Sequence, residues 1–149
     1  MADRPSETTI SAWARLLRAH RLALSSVERA LKAAGMPALA WYDVLLELER
    51  SGDNGLRPFE LERAMLLEQY NLSRLLTRIE RAGFIERQAC DDDGRGQIIT
   101  ITDEGRKQRR KMWPVYALAI ESAIGTKLPE TEISRFNEIL RQLTGFKEP

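Results

Sequence analysis

The sequence predicts a mainly α (α+β) chain in which one β-hairpin interrupts a run of helices. Apolar residues recur at steps of three and four along most of the 149 residues, the period of helices that bury one face. One stretch breaks that period: "QIITIT" (97–102) carries Ile98, Ile99 and Ile101, with Thr100 and Thr102 agreeing in β propensity. The polar, glycine-containing "CDDDGRG" before it reads as a hairpin tip.

The elements follow in order. From Thr9 to about Ala34, Trp13, Leu16, Leu17, His20, Leu24, Val27 and Leu31 make a helical stripe, which Gly35 and Pro37 end. A second helix is expected from Ala38 to Arg50, and "SGDNG" (51–55) is a loop by composition. A short helix follows Pro58, which suits a first-turn position, with Leu61, Ala64 and Met65 on its buried edge. After a brief turn, "EQYNLSRLLTRIERAGFIER" (68–87) opens with another helix. Leu72, Leu75, Leu76 and Ile79 form its apolar side, while Tyr70, Asn71, Arg74, Thr77, Arg78 and Arg81 form its polar side. Gly83 stops it as a left-handed cap.

Phe84–Arg87 and Gln97–Thr102 are the two expected strands. Thr102 then caps a helix from Asp103 to about Gly125, with Asp103 and Glu104 favourable in its first turn and Pro114 kinking it. A last helix runs from about Pro129 to Thr144, with Ile133, Phe136, Leu140 and Leu143 on one stripe. Two short helices joined by a few residues are a helix-turn-helix, and one followed directly by a hairpin is a winged helix.

Bulk composition narrows the function classes. Hydrophobic residues are 43% and charged residues 30%, with a formal net charge of +1. That excludes a globally basic nucleic-acid binder and leaves a local basic patch as the electrostatic route. No apolar run approaches the ~20 residues of a membrane helix, and "MADRPSETTI" lacks the apolar core of a signal peptide. A single cysteine, Cys90, permits no internal disulfide and fits a reducing, cytoplasmic setting. One His and one Cys exclude a Cys/His zinc site within the chain. There is no glycine-rich phosphate loop and no Gly-x-Ser-x-Gly turn. No cofactor and no enzymatic activity are expected. A small enzyme would have only Cys90, His20 and scattered carboxylates to use.

In a helix-turn-helix the second helix enters the major groove and its first residues reach base edges. The candidates are Gln69, Tyr70, Asn71, Ser73 and Arg74, with Arg78 further along the same face. Gln and Asn pair in bidentate fashion with adenine and Arg with guanine, while Ser73 and Tyr70 can donate to phosphate. Arg95 stands between two glycines at the hairpin tip, a position that suits a narrow minor groove, with Asp93 placed to hold its guanidinium. "GRKQRRK" (105–111) adds five positive residues in seven. Solvated surface is the competing account of each of these. A winged-helix protein-interaction module without specific DNA readout is the alternative function; it would bind duplex DNA without steep salt dependence.

"NLSRLLTRIERAGFIER" followed by "DDDGRGQIITITDEGR" resembles the core of the MarR-type winged-helix transcriptional regulators. The resemblance rests on Ser73-Arg74, on Ile79-Glu80…Gly83-Phe84-Ile85…Arg87, on Asp93-Gly94-Arg95 and on Thr102…Gly105. The flanking helices agree in number and length. Gly94 replaces the first of two adjacent arginines that many members carry, and "EQYN" replaces the usual Ser or Pro opening of the recognition helix.

The resemblance implies one domain over 1–149, with dimerisation helices at about 9–36 and 106–147 and a DNA-binding lobe at about 38–105. It implies a homodimeric, ligand-responsive repressor of a pseudo-palindromic operator, and a small aromatic or phenolic effector. The apolar stripes of the first and last helices, and "MWPVYALAIESAI", independently suggest a second copy as partner. Trp13, His20, Trp41, Trp113 and Tyr116 are the candidates to line an effector crevice; core aromatics and an interface histidine are the other account. Oxidant sensing through Cys90 is disfavoured by neighbouring Asp91–Asp93, because a reactive thiol needs an electropositive setting.

Overall fold

The computed structural model describes residues 4–89 and 96–145. Cys90, Asp93 and Arg95 lie outside the described residues. Helices α1 (Glu7–Ala33), α2 (Leu39–Ser51), α3 (Pro58–Ala64) and α4 (Leu72–Arg81) precede strands β1 (Ile85–Ala89) and β2 (Gln97–Ile101). Helix α5 (Asp103–Ile120), a π segment (Glu121–Gly125) and α6 (Glu130–Thr144) complete the order. No described helix is long and apolar enough to cross a membrane. The chain divides into two compact units, Leu31–Val115 and the two ends, Met1–Ala30 with Tyr116–Pro149.

In the central unit, Val44, Leu45 and Leu48 of α2, Leu61 of α3, and Leu75, Leu76 and Ile79 of α4 meet Ile85, Ile99 and Ile101 in one core. The strands pair antiparallel, Ile85 opposite Ile101 and Arg87 opposite Ile99. A feature absent from the sequence reading is a third rung. Leu56 donates its N–H to Ile99 O at 3.0 Å and accepts the Ile99 N–H at 2.8 Å. The "SGDNG" loop therefore ends by joining the hairpin. Gly55 permits this: its φ is +65°, and a Cβ there would strike Ile99 O, with Ile98 Cγ2 at 2.8 Å.

Helix α4 starts at Leu72, later than the reading from Glu68 expects, because Asn71 is its N-cap. The Asn71 Oδ1 accepts the Arg74 N–H at 3.1 Å, and residues 68–70 belong to the preceding turn. Helix α1 starts two residues earlier than expected, since Ser6 Oγ accepts the Thr9 N–H at 3.1 Å. At the other end of α4, Gly83 has φ +86°. The Phe84 N–H reaches back to Ile79 O at 3.2 Å, closing the helix as anticipated.

Thr102 ties the end of β2 to that cap. Its Oγ1 donates to Gly83 O at 2.6 Å and accepts the Gly105 N–H at 3.0 Å, while its own N–H donates to Phe84 O at 3.0 Å. Gly105 lies against this junction so closely that a Cβ would overlap Phe84 O and stand 2.8 Å from Ile101 Cγ1. Here Phe84 O belongs to the backbone and cannot swing away. Gly105→Ala is therefore expected to cost about 1–3 kcal/mol of unfolding free energy in a urea titration; unchanged stability would show that the junction has slack.

Candidate nucleic-acid interface

Helix α4 is ten residues long and uses one face for the core and the other for solvent. Leu75, Leu76 and Ile79 are buried. Ser73, Arg74, Arg78 and Arg81 are exposed, and Tyr70 stands wholly clear of the chain. Gln69, Tyr70, Asn71, Ser73, Arg74 and Arg78 all line one open groove, and Arg81 lies in it as well. The structure thus brings together six of the eight residues proposed from sequence; the other two, Asp93 and Arg95, are outside the described residues. Sequence reasoning placed Arg81 on the polar face without counting it as a site residue. Its spacing from Arg74 and Arg78 was the available signal.

Charge in the groove is uncompensated. Elsewhere Arg87 pairs with Glu80, Arg106 with Asp103 and Arg109 with Glu49. Among the described residues no carboxylate pairs with Arg74, Arg78 or Arg81. Three guanidiniums on one helical face, with donors at its amino end, make a surface suited to an anion of extended shape.

The hairpin is bonded to this helix by polar groups that the sequence offered only as a family pattern. The Arg87 Nη2 donates to Glu80 Oε1 at 2.9 Å and to Thr77 Oγ1 at 3.1 Å. Thr77 Oγ1 in turn donates to Ser73 O at 3.0 Å. A strand residue is thereby tied to three positions of α4, and the Arg87 guanidinium holds the Glu80 carboxyl below its ordinary range. In the same unit Arg109 of α5 pairs with Glu49 of α2 and lies 6.0 Å from the Tyr42 ring centroid. Trp113 stacks on the same ring, with centroids 6.1 Å apart.

The proposed effector residues are divided between the two units. Trp41 packs edge-on against Phe84 beside the central core, whereas Trp113 stacks on Tyr42, so each has its own aromatic partner. Trp13 and His20 are exposed on α1 and Tyr116 is half-buried; these three belong to the other unit. Among the described residues no group of three or more His, Cys, Asp or Glu could hold a metal ion.

A helix-turn-helix with a hairpin braced against its second helix, and an unneutralised cationic face on that helix, defines a winged-helix lobe of the nucleic-acid-reading class. The comparisons agree. The MarR family profile matches residues 34–96. The transcriptional repressor MprA of Escherichia coli is 27% identical over 120 residues, 80% of this chain and 67% of its own length. The transcriptional activatory protein BadR of Rhodopseudomonas palustris is 29% identical over 117 residues, 78% of this chain and 64% of its own length. The match thus spans about two thirds of these relatives. The crystal structure of Sco3205, a MarR family regulator from Streptomyces coelicolor in complex with DNA, superposes with a TM-score of 0.84 at 27% identity. That match covers 100% of this chain and 93% of the other. The chain is thus similar to the MarR family of winged-helix transcriptional regulators, whose model its residues 34–96 match.

The Arg87 bridge has a pH signature. Because the folded Glu80 carboxyl titrates below its unfolded value, the pair adds stability above the ordinary glutamate range. That part is lost as pH falls through the lowered folded value. In thermal melts, the Tm difference between wild type and Arg87→Met should be full at neutral pH and narrow in acid. The Thr77 bond leaves a remainder. A difference independent of pH would contradict the bridge.

Proposed function

We propose that this protein is a sequence-specific, double-stranded DNA-binding regulator that acts as a homodimer on a pseudo-palindromic operator. The observation that carries this reading is the groove along α4, where base-reading amides share one open face with three arginines that no carboxylate pairs among the described residues. Phosphate contacts would supply most of the affinity, and Gln69, Asn71 and Arg74 the choice of bases. Asn71 spends its Oδ1 on the helix cap, which leaves its Nδ2 to donate. The similarity to a regulator captured with DNA supports the same assignment.

The second copy is proposed from the terminal unit. Helix α6 has an apolar stripe, yet no residue of it is buried within the chain. Phe136 is 38%, Leu143 67% and Trp13 on α1 62% exposed. Apolar helical faces left open in this way call for a partner, and the order of helices in a symmetric regulator gives each copy one reading head. Two heads would meet half-sites ~10 bp apart.

Repression by occupying a promoter is the sign we propose, with release by a small aromatic or phenolic effector. MprA is named a repressor and BadR an activatory protein, so a promoter-fusion assay decides the sign. The effector rests on the family resemblance and on exposed Trp13 and His20.

Selecting bound fragments from the source genome is expected to return an inverted repeat. On that site Arg74→Ala should lose ~1–3 kcal/mol of binding while affinity for random duplex changes little; a variant with full preference would remove Arg74 from readout. Phe136→Glu should shift the protein from dimer to monomer in sedimentation at micromolar concentration. An unchanged mass would place the interface elsewhere.

A further inference from the structure

Asp43 is the charged side chain buried among the described residues, only 4% exposed, in a helix α2 whose other buried residues are Leu39, Tyr42, Val44, Leu45 and Leu48. Burying a carboxylate there is costly unless it is bonded, and an apolar residue would serve the core better. Burial pushes the Asp43 carboxyl up, against the opposing pull of the Leu67 and Leu66 N–H groups and the Arg50 charge. The carboxylate is spent on the turn between α3 and α4. Its Oδ2 accepts the Leu67 N–H at 2.9 Å across a sequence gap of 24 residues. Asp43 thus holds this turn from a helix outside the helix-turn-helix.

That turn leads directly into Gln69, Tyr70 and Asn71. Helix α3 has ended at Ala64, with Met65 as its cap, and α4 has not begun, so the path of 66–70 is not set by helical bonds. We propose that Asp43 is a positioning residue for sequence readout: by gripping the turn it fixes how Gln69, Tyr70 and Asn71 approach the base edges. The proposal rests on the DNA-reading function above. Base-edge hydrogen bonds demand close geometry, whereas phosphate attraction tolerates displacement. Loss of the grip should therefore damage specificity more than general affinity.

The test compares wild type, Asp43→Asn and Asp43→Ala on the selected operator and on random duplex, at a temperature where circular dichroism shows each protein folded. Wild type must first prefer the operator; absence of preference overturns the DNA reading itself and this proposal with it. Asp43→Ala should lower the operator-to-random affinity ratio about tenfold or more, within the range of one lost base contact. Asp43→Asn, which keeps one acceptor oxygen, should fall between. The salt slope should be unchanged, because the phosphate contacts remain. A purely structural role would lower the active fraction, scale both affinities alike and leave the ratio intact. A folded Asp43→Ala with the wild-type ratio overturns the proposal. If the alanine variant does not fold, Asp43→Asn decides: a wild-type ratio in it overturns the proposal, and a reduced one supports it.

Discussion

Everything on the reading face depends on burying Leu75, Leu76 and Ile79. A ten-residue helix is marginal alone in water, since the cost of nucleating it is spread over few hydrogen bonds. Helix α4 persists because its apolar edge closes a core shared with α2, α3 and the hairpin. Ile79 and Leu76 are 0% and 2% exposed, so rotating the helix to bury an arginine would uncover them. At about 25 cal/mol for each Å² of apolar surface, such a rotation costs several kcal/mol. The cationic face is outward because the alternative is worse, and it needs no specific outward force.

Polar bonds then convert a buried helix into a positioned one. Arg87 reaches back from β1 to Glu80 and Thr77, and Thr102 reaches from the end of β2 to Gly83 and Gly105. Both contacts join segments close in sequence, so they cost little loop entropy. The hairpin cannot shift by a register without breaking them, because a one-residue slip would also turn Ile99 and Ile101 out of the core. Leu56 adds a rung from the other side, anchoring the hairpin to the chain that follows α2. The described strands and α4 are therefore held to one another by several bonds.

Much of this was legible in the sequence, for identifiable reasons. The period of Leu72, Leu75, Leu76 and Ile79 located α4, and Gly83 marked its end because a left-handed residue there is physically required. Thr102 announced the cap of α5 by residue type and place. What escaped detection was long-range. Asn71 as the N-cap of α4 competed with "EQYN" as a plausible first turn, and helical propensity alone could not choose. The Leu56–Ile99 rung joins positions 43 apart with no local pattern to signal it. Asp43 looked like an ordinary polar member of α2, since nothing near it shows that Leu67 would fold over it. Residue type alone leaves Trp41 and Trp113 open between an effector crevice and core aromatics, and their separate partners, Phe84 and Tyr42, are three-dimensional facts.

The central claim is that the outward face of α4, from Gln69 through Arg78, is what touches DNA. Backbone and arginine side-chain NMR shifts followed during titration with the selected duplex test it directly. The account predicts that the largest changes cluster on residues 69–78, with the Leu75, Leu76 and Ile79 side chains keeping their packing. Changes confined to α6 or to the outer face of α1, with Arg74 and Arg78 unmoved, would contradict it.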